Sequence, residues 1–112
     1  MHFAKESIPE KTEFGDLAPS FGEYPKGMDV AALLEGLPNN MCPCPHWGYV
    51  IRGRMRLEYL DGSEEVVQAG DVYYMPENHT AVIEDDFACV EFSPKHEFWE
   101  VMANMAKKMQ GG

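Results

Sequence analysis

Cys42, Cys44 and His46 occupy every second position in the run Cys42-Pro43-Cys44-Pro45-His46-Trp47-Gly48-Tyr49-Val50, and His79 follows one hairpin later, beyond Gly70 and Pro76. Thiolates and imidazoles are the groups that zinc and other first-row transition metals prefer. In an extended segment the three alternate residues point to one face, with neighbours ~6.6 Å apart along the strand. Two such neighbours can reach one ion. All three reach it only if the segment bends, and Pro43 and Pro45 favour a departure from a regular ladder. Cys42, Cys44, His46 and His79 together would make a tetrahedral Zn2+ site, with Fe, Ni or Mn as alternatives. Fewer bound thiolates would leave an open coordination position suited to catalysis.

Plainer roles exist for the same side chains. Cys42 and Cys44 can pack as small buried hydrophobes, His46 as a hydrogen-bonded core imidazole, and His79 as a surface residue beside a turn. Cys89, inside a strand pattern, reads as core. His96 falls in the first turn of a helix, where a cation is disfavoured, and His2 lies in the N-terminal arm, so both read as solvated. Trp47, Tyr49, Tyr59, Tyr73, Tyr74, Phe87 and Phe92 read as barrel packing, with inward members lining a pocket. Arg52, Arg54 and Arg56 read as outward partners of acidic neighbours, and Glu84-Asp85-Asp86 as a solvated turn.

The elements that must position these groups alternate in character. Residues 1–27 carry Pro9, Pro19, Pro25, Gly15, Gly22 and Gly27 with little periodicity, which predicts an extended arm with one short strand at most. Asp29 caps a run of helix formers that Gly36 and Pro38 stop, so a helix of about two turns is expected over 29–35. After Gly53, Met55, Leu57 and Tyr59 fall on one face and Arg54, Arg56 and Glu58 on the other, the pattern of a half-buried strand. Asp61-Gly62 predicts a tight turn into a strand over 64–68, and Ala69-Gly70-Asp71 another into 72–75. Strands over 80–84 and 87–92, joined at Asp85-Asp86, complete the β region. Ser93-Pro94 then opens an amphipathic helix over 94–109, with Phe98, Val101, Met102, Met105 and Met109 at helical spacing and Lys107-Lys108 in its last turn.

The 112 residues suit one domain. A formal net charge of -10, with no compensating basic run before the last helix, argues against partners with phosphate backbones or anionic lipid surfaces. No apolar run approaches the ~20 residues of a membrane-spanning helix, and Met1-His2-Phe3-Ala4-Lys5-Glu6 lacks an export pattern. Three cysteines cannot all pair, and Cys42 and Cys44 stand too close for an unstrained bridge. A reducing, cytoplasmic setting is expected, in which close cysteines serve metals or redox chemistry.

The block His46-Trp47-Gly48-Tyr49-Val50-Ile51-Arg52-Gly53, continued by Gly70-Asp71-Val72-Tyr73-Tyr74-Met75-Pro76 and His79, resembles the two motifs of the cupin superfamily, over roughly residues 40–93. Within it the chain is similar to small stand-alone cupins with a Cys-x-Cys-Pro-His-Trp segment. The resemblance implies an all-β, single-domain cupin-type jelly-roll barrel over 28–112, preceded by the arm over 1–27, with a metal and a small-molecule ligand in the barrel and pairing into homodimers. The ligand positions depart from the family pattern. His46 stands where the family has a Glu seven residues before Gly53. Asn40 and Cys42, or Asn39 and Met41, stand where it has paired His. Ala81 takes the place of its last His, with His79 two residues earlier. Three functions fit: a metal- and ligand-binding module without turnover, a metal-dependent enzyme of dioxygenase or isomerase type on a small oxygenated substrate, and a redox sensor whose Cys42 and Cys44 release metal on oxidation.

Overall fold

A computed structural model describes residues 5–7 and 14–110 of the chain. Six antiparallel strands form one sheet: β1 (Lys5–Ser7), β2 (Leu17–Tyr24), β3 (His46–Tyr59), β4 (Glu64–Gln68), β5 (Val72–Met75) and β6 (His79–Pro94). β3 lies against β6 along its length. On its other side it meets β5 over His46–Tyr49 and β4 over Arg54–Glu58. β2 pairs with the second half of β6 and carries β1 outside it. Within the predicted arm, then, Leu17–Tyr24 is an eight-residue strand hydrogen-bonded into the sheet. His2 lies outside the described residues.

Closure of this sheet follows from β3. A straight strand of its 14 residues would extend about 45 Å, longer than the molecule's largest dimension of 35 Å. Met75 pairs with the first residue of β3, His46, while His79, four residues later, pairs with the last, Tyr59. The strand must therefore curl until its ends nearly meet. Register shifts between Val50 and Met55 supply the bend. Gly53 sits there at φ +88°, and a Cβ at this position would land on the Asp86 carbonyl oxygen, so only glycine lets β3 and β6 approach. The same irregularity moves the inward positions of β3 from even numbers (His46, Val50) to odd ones (Met55, Leu57).

Two expected turns and helices take other forms. Asp85-Asp86 is not a turn between two strands. β6 runs unbroken through it, because the bulged pairing with β3 absorbs the acidic pair on the solvent side. The helix expected over 29–35 is a single 3-10 turn, Val30–Leu33, capped by the Asp29 carboxylate accepting from the Ala31 N–H. Ser93 does not cap the last helix, since β6 continues through Pro94 and the Ser93 hydroxyl is engaged elsewhere. Helix α1 spans Lys95–Gln110.

Two buried clusters result. Val50, Met55, Leu57, Val67, Tyr73, Met75, Ala81, Ile83, Phe87 and Cys89 fill the barrel. A second cluster of Ala18, Leu34, Cys42, Cys44, Phe98 and Val101 lies where α1 and the 3-10 turn cover one end. Asn104 fastens the two covering elements by donating to the Leu33 carbonyl at 3.0 Å. Arg54 and Arg56 pair on the outside with Glu84 at 2.9 and 3.0 Å, as expected. No helix among the described residues is long and apolar enough to cross a membrane.

Candidate metal centre

Curling of β3 brings His46, its first residue, beside His79, which opens β6 opposite the other end of β3. Their rings meet edge to face at a centroid separation of 5.1 Å. Cys42 joins them through a short bridge to His79: its N–H donates to the His79 carbonyl at 2.8 Å, and its own carbonyl accepts from the Asn78 N–H at 2.8 Å. Asn78 adopts φ +66°, which lets the chain turn sharply into β6 at this point. One ligand atom from each of Cys42, His46 and His79 lies within 4.8 Å of the others.

The second nitrogen of each imidazole is tied down. His79 Nδ1 lies 2.7 Å from the Pro76 carbonyl, which can only accept, so Nδ1 carries the proton and Nε2 keeps a lone pair. His46 Nδ1 lies 2.7 Å from Ser93 Oγ and 3.3 Å from Glu91 Oε2, while its Nε2 faces Cys42 Sγ at 3.6 Å. Glu91 accepts in turn from the Tyr73 hydroxyl at 2.6 Å. A carboxylate behind a histidine fixes the ring and strengthens its outward nitrogen as a donor, an arrangement common behind metal-binding histidines. Gly48 makes room for it: a Cβ there would collide with the Tyr73 ring.

Burial decides the charge state. It pulls His46 and His79 down to about 4, the neighbouring His46 adding to the shift of His79, and it pushes the Cys42 thiol up to about 12. Burial also pushes Glu91 and Tyr73 upward. At neutral pH the metal-free cluster is thus three neutral donors with lone pairs directed to one point. Zinc bonds of ~2.1 Å to nitrogen and ~2.3 Å to sulfur would set the donors roughly 3.5 Å apart in a tetrahedron. The Cys42–His46 spacing of 3.6 Å already matches, and the wider separations, up to 4.8 Å, would have to close by about 1 Å as the side chains turn onto the ion. A divalent ion would reverse the electrostatics, stabilising the Cys42 thiolate that burial alone opposes.

Cys44 shares the inward parity of Cys42 and His46 and is fully buried, but it is not in this group. The chain bends at Cys44 itself, whose thiol meets the Pro45 carbonyl at 3.5 Å instead of the two imidazoles, and burial pushes it up to about 12. The four donors of the sequence reading are thus brought together as three. Ser93, Glu91 and Tyr73 were not among them. Their signal lies in the inward parity of β6, where Glu91 and Ser93 continue the buried series Phe87 and Cys89; a polar residue on a buried face needs a partner. The aromatic set also divides: Tyr73 and Phe87 are buried, whereas Trp47, Tyr49 and Tyr74 stand on the outer face, about half exposed, with Trp47 stacked on Tyr74 at 5.3 Å.

A cavity of about 70 Å³ opens beside the cluster, between the barrel strands and α1. No family model matches the sequence, and neither does any curated protein. Solved structures match the fold. The EutQ protein of Clostridium difficile superposes on 82% of this chain with a TM-score of 0.60 at 14% identity, and the chain spans 62% of its length. An RmlC-like cupin from Shewanella frigidimarina matches 81% of this chain and 76% of its own with a TM-score of 0.56 at 21% identity. A cupin 2 conserved barrel domain protein from Leptotrichia buccalis covers 82% of this chain, and 40% of its own, with a TM-score of 0.58 at 13% identity. Likeness at such identities speaks to architecture and leaves chemistry to the site. With its curled antiparallel sheet, its covering C-terminal helix and these neighbours, the chain has the cupin fold.

Proposed function

We propose that this is a metal-binding cupin that holds one divalent transition ion, zinc by preference, on Cys42, His46 and His79, and presents the remaining coordination position to a small molecule in the barrel. The observation that carries this is the convergence of the three buried donors within 4.8 Å, each imidazole anchored through its other nitrogen. One thiolate and two imidazoles suit Zn2+, and a three-ligand set is the arrangement that keeps a position open for water or substrate. Bound there, the ion would supply Lewis acidity. Cys44 serves packing in this reading. Three cysteines with no disulfide among them suit a reducing compartment, which supports a cytoplasmic setting.

The test is elemental analysis after equilibrium dialysis against zinc. One ion per chain is expected, retained by Cys44→Ser and lost from His46→Ala and His79→Ala. Failure to retain zinc in the wild-type chain, or its undiminished retention by both histidine variants, would refute the assignment.

We also propose that the chain pairs with a second copy through the outside of the sheet. Tyr74, Trp47, Phe92 and Pro19 form one cross-strand row and Val72, Tyr49, Val90 and Phe21 the next, over four adjacent strands. Counting the flanking Phe14, Leu17 and Ile51, seven large apolar side chains here are 40–83% exposed. At roughly 150–250 Å² for a large aromatic side chain and somewhat less for an aliphatic one, they offer on the order of 600 Å². That approaches the ~800 Å² per partner of a stable interface and stands at the upper end of what a monomer ordinarily leaves bare. A solution mass of one chain at micromolar concentration would count against pairing; twice that mass is expected.

A further inference from the structure

We infer that the barrel cavity takes a compact ligand with an apolar, uncharged tail and a single electron-pair-donating head. For its head group the inference rests on the metal reading above; for its tail it rests on the cavity wall alone. Polar groups gather together in this cavity, where Cys42, His46, His79 and Glu91 lie close to one another. Around them the lining is apolar: Met55, Leu57, Met75 and Ala81 of the strands and Val101 and Met102 of α1. Among the described residues no lysine or arginine lines the space, so a phosphate or a second carboxylate would be buried there without a counter-charge. Apart from Tyr24, the wall offers no partners for the several hydroxyls of a sugar, and each left unpaired would cost affinity. The polar groups can serve few of them, because Glu91 Oε1 already accepts from Tyr73, and His46 and His79 each commit one nitrogen to the protein.

Size narrows the class further. The volume of about 70 Å³ is several times the roughly 10–15 Å³ that admits a single water, so the cavity takes a small ligand of several heavy atoms. Unbranched, deformable methionines on both sides let the wall close on an aliphatic group of somewhat varied shape. Metal-directed donors set in an otherwise hydrocarbon lining sort ligands by tail once the head is fixed.

Three thiols of equal size make the test: 1-propanethiol, 2-mercaptoethanol and cysteamine, which differ only in a terminal methyl, hydroxyl or ammonium. They are titrated into the Co2+-loaded protein and followed by the sulfur-to-cobalt charge-transfer band. Propanethiol is expected to bind about tenfold more tightly than mercaptoethanol and at least thirtyfold more tightly than cysteamine, although its thiol is the least acidic of the three. Ala81→Leu, which adds bulk to the apolar lining, should weaken propanethiol tenfold or more with cobalt still bound. Equal affinities, or the reverse order, would overturn the inference while leaving the metal assignment standing. If the protein takes up no cobalt, the metal assignment fails. The same thiols are then compared by the thermal midpoint of the metal-free chain, where a rise with propanethiol but not cysteamine upholds the tail preference and equal responses reject it.

Discussion

On the concave side of β3, His46, Val50, Met55 and Leu57 are buried against the rest of the barrel. On the convex side of the same strand, Trp47, Tyr49 and Ile51 keep nearly half their surface. At these positions both sides are largely apolar, yet their surroundings differ. Inside, every side chain is constrained by neighbours from β5, β6 and α1, and the polar ones are held at fixed separations. Outside, the aromatics meet only their cross-strand partners, so area rather than geometry is what they offer. On the proposed reading chemistry belongs to the inner face and pairing to the outer, and substitutions should separate the two.

The largest effect is expected where the inner face is formed. Gly53→Ala puts a Cβ against the Asp86 carbonyl in a left-handed backbone, and a loss of about 3 kcal/mol or more in denaturant unfolding is predicted. A loss under about 1 kcal/mol would mean that β3 and β6 can separate there without opening the barrel. Next, His46→Ala or His79→Ala should lower zinc affinity at least a hundredfold, while Trp47→Ala leaves it within twofold. Equal losses from both faces would erase the distinction.

Acid should act through the inner face as well. Both imidazoles are held at about 4, below their ordinary 6.5, so the unfolded chain binds protons that the folded one refuses. The metal-free protein should keep full stability above pH 6.5 and lose it progressively as the pH falls toward 4, by up to roughly 3 kcal/mol for each imidazole. Thermal midpoints that stay flat across this window would show that the histidines are not buried as neutral rings. On the outer face, Tyr49→Lys should convert a two-chain particle to one chain in sedimentation with zinc content unchanged. Smallest of all, Arg54→Ala removes an exposed ion pair and should cost less than about 1 kcal/mol.

Much of the barrel was legible because turn chemistry and strand alternation are local. Asp61-Gly62 marks a hairpin by its backbone needs, and Met55, Leu57 and Tyr59 mark an inward face by period. The bulge that swallows Asp85-Asp86 was not legible, since the pair resembles a turn unless the register of β3 opposite is known. The metal cluster was half legible. The residue types of Cys42, His46 and His79 announced it, but the exclusion of Cys44 depends on the local bend of the chain at Cys44, between the two prolines, and the Tyr73–Glu91–His46 chain depends on which strands become neighbours. The exposure of Trp47, Tyr49 and Tyr74 was missed because composition cannot tell an inner aromatic from an outer one.

The absorption spectrum of the Co2+-substituted protein tests the central claim most directly. An intense visible band of tetrahedral cobalt with a sulfur charge-transfer band is predicted for the wild type and for Cys44→Ser, with the charge-transfer band gone in Cys42→Ser. A charge-transfer band that survives loss of Cys42 and vanishes with Cys44, or no cobalt spectrum beyond that of the free ion, would contradict the assignment of Cys42, His46 and His79 as one metal centre.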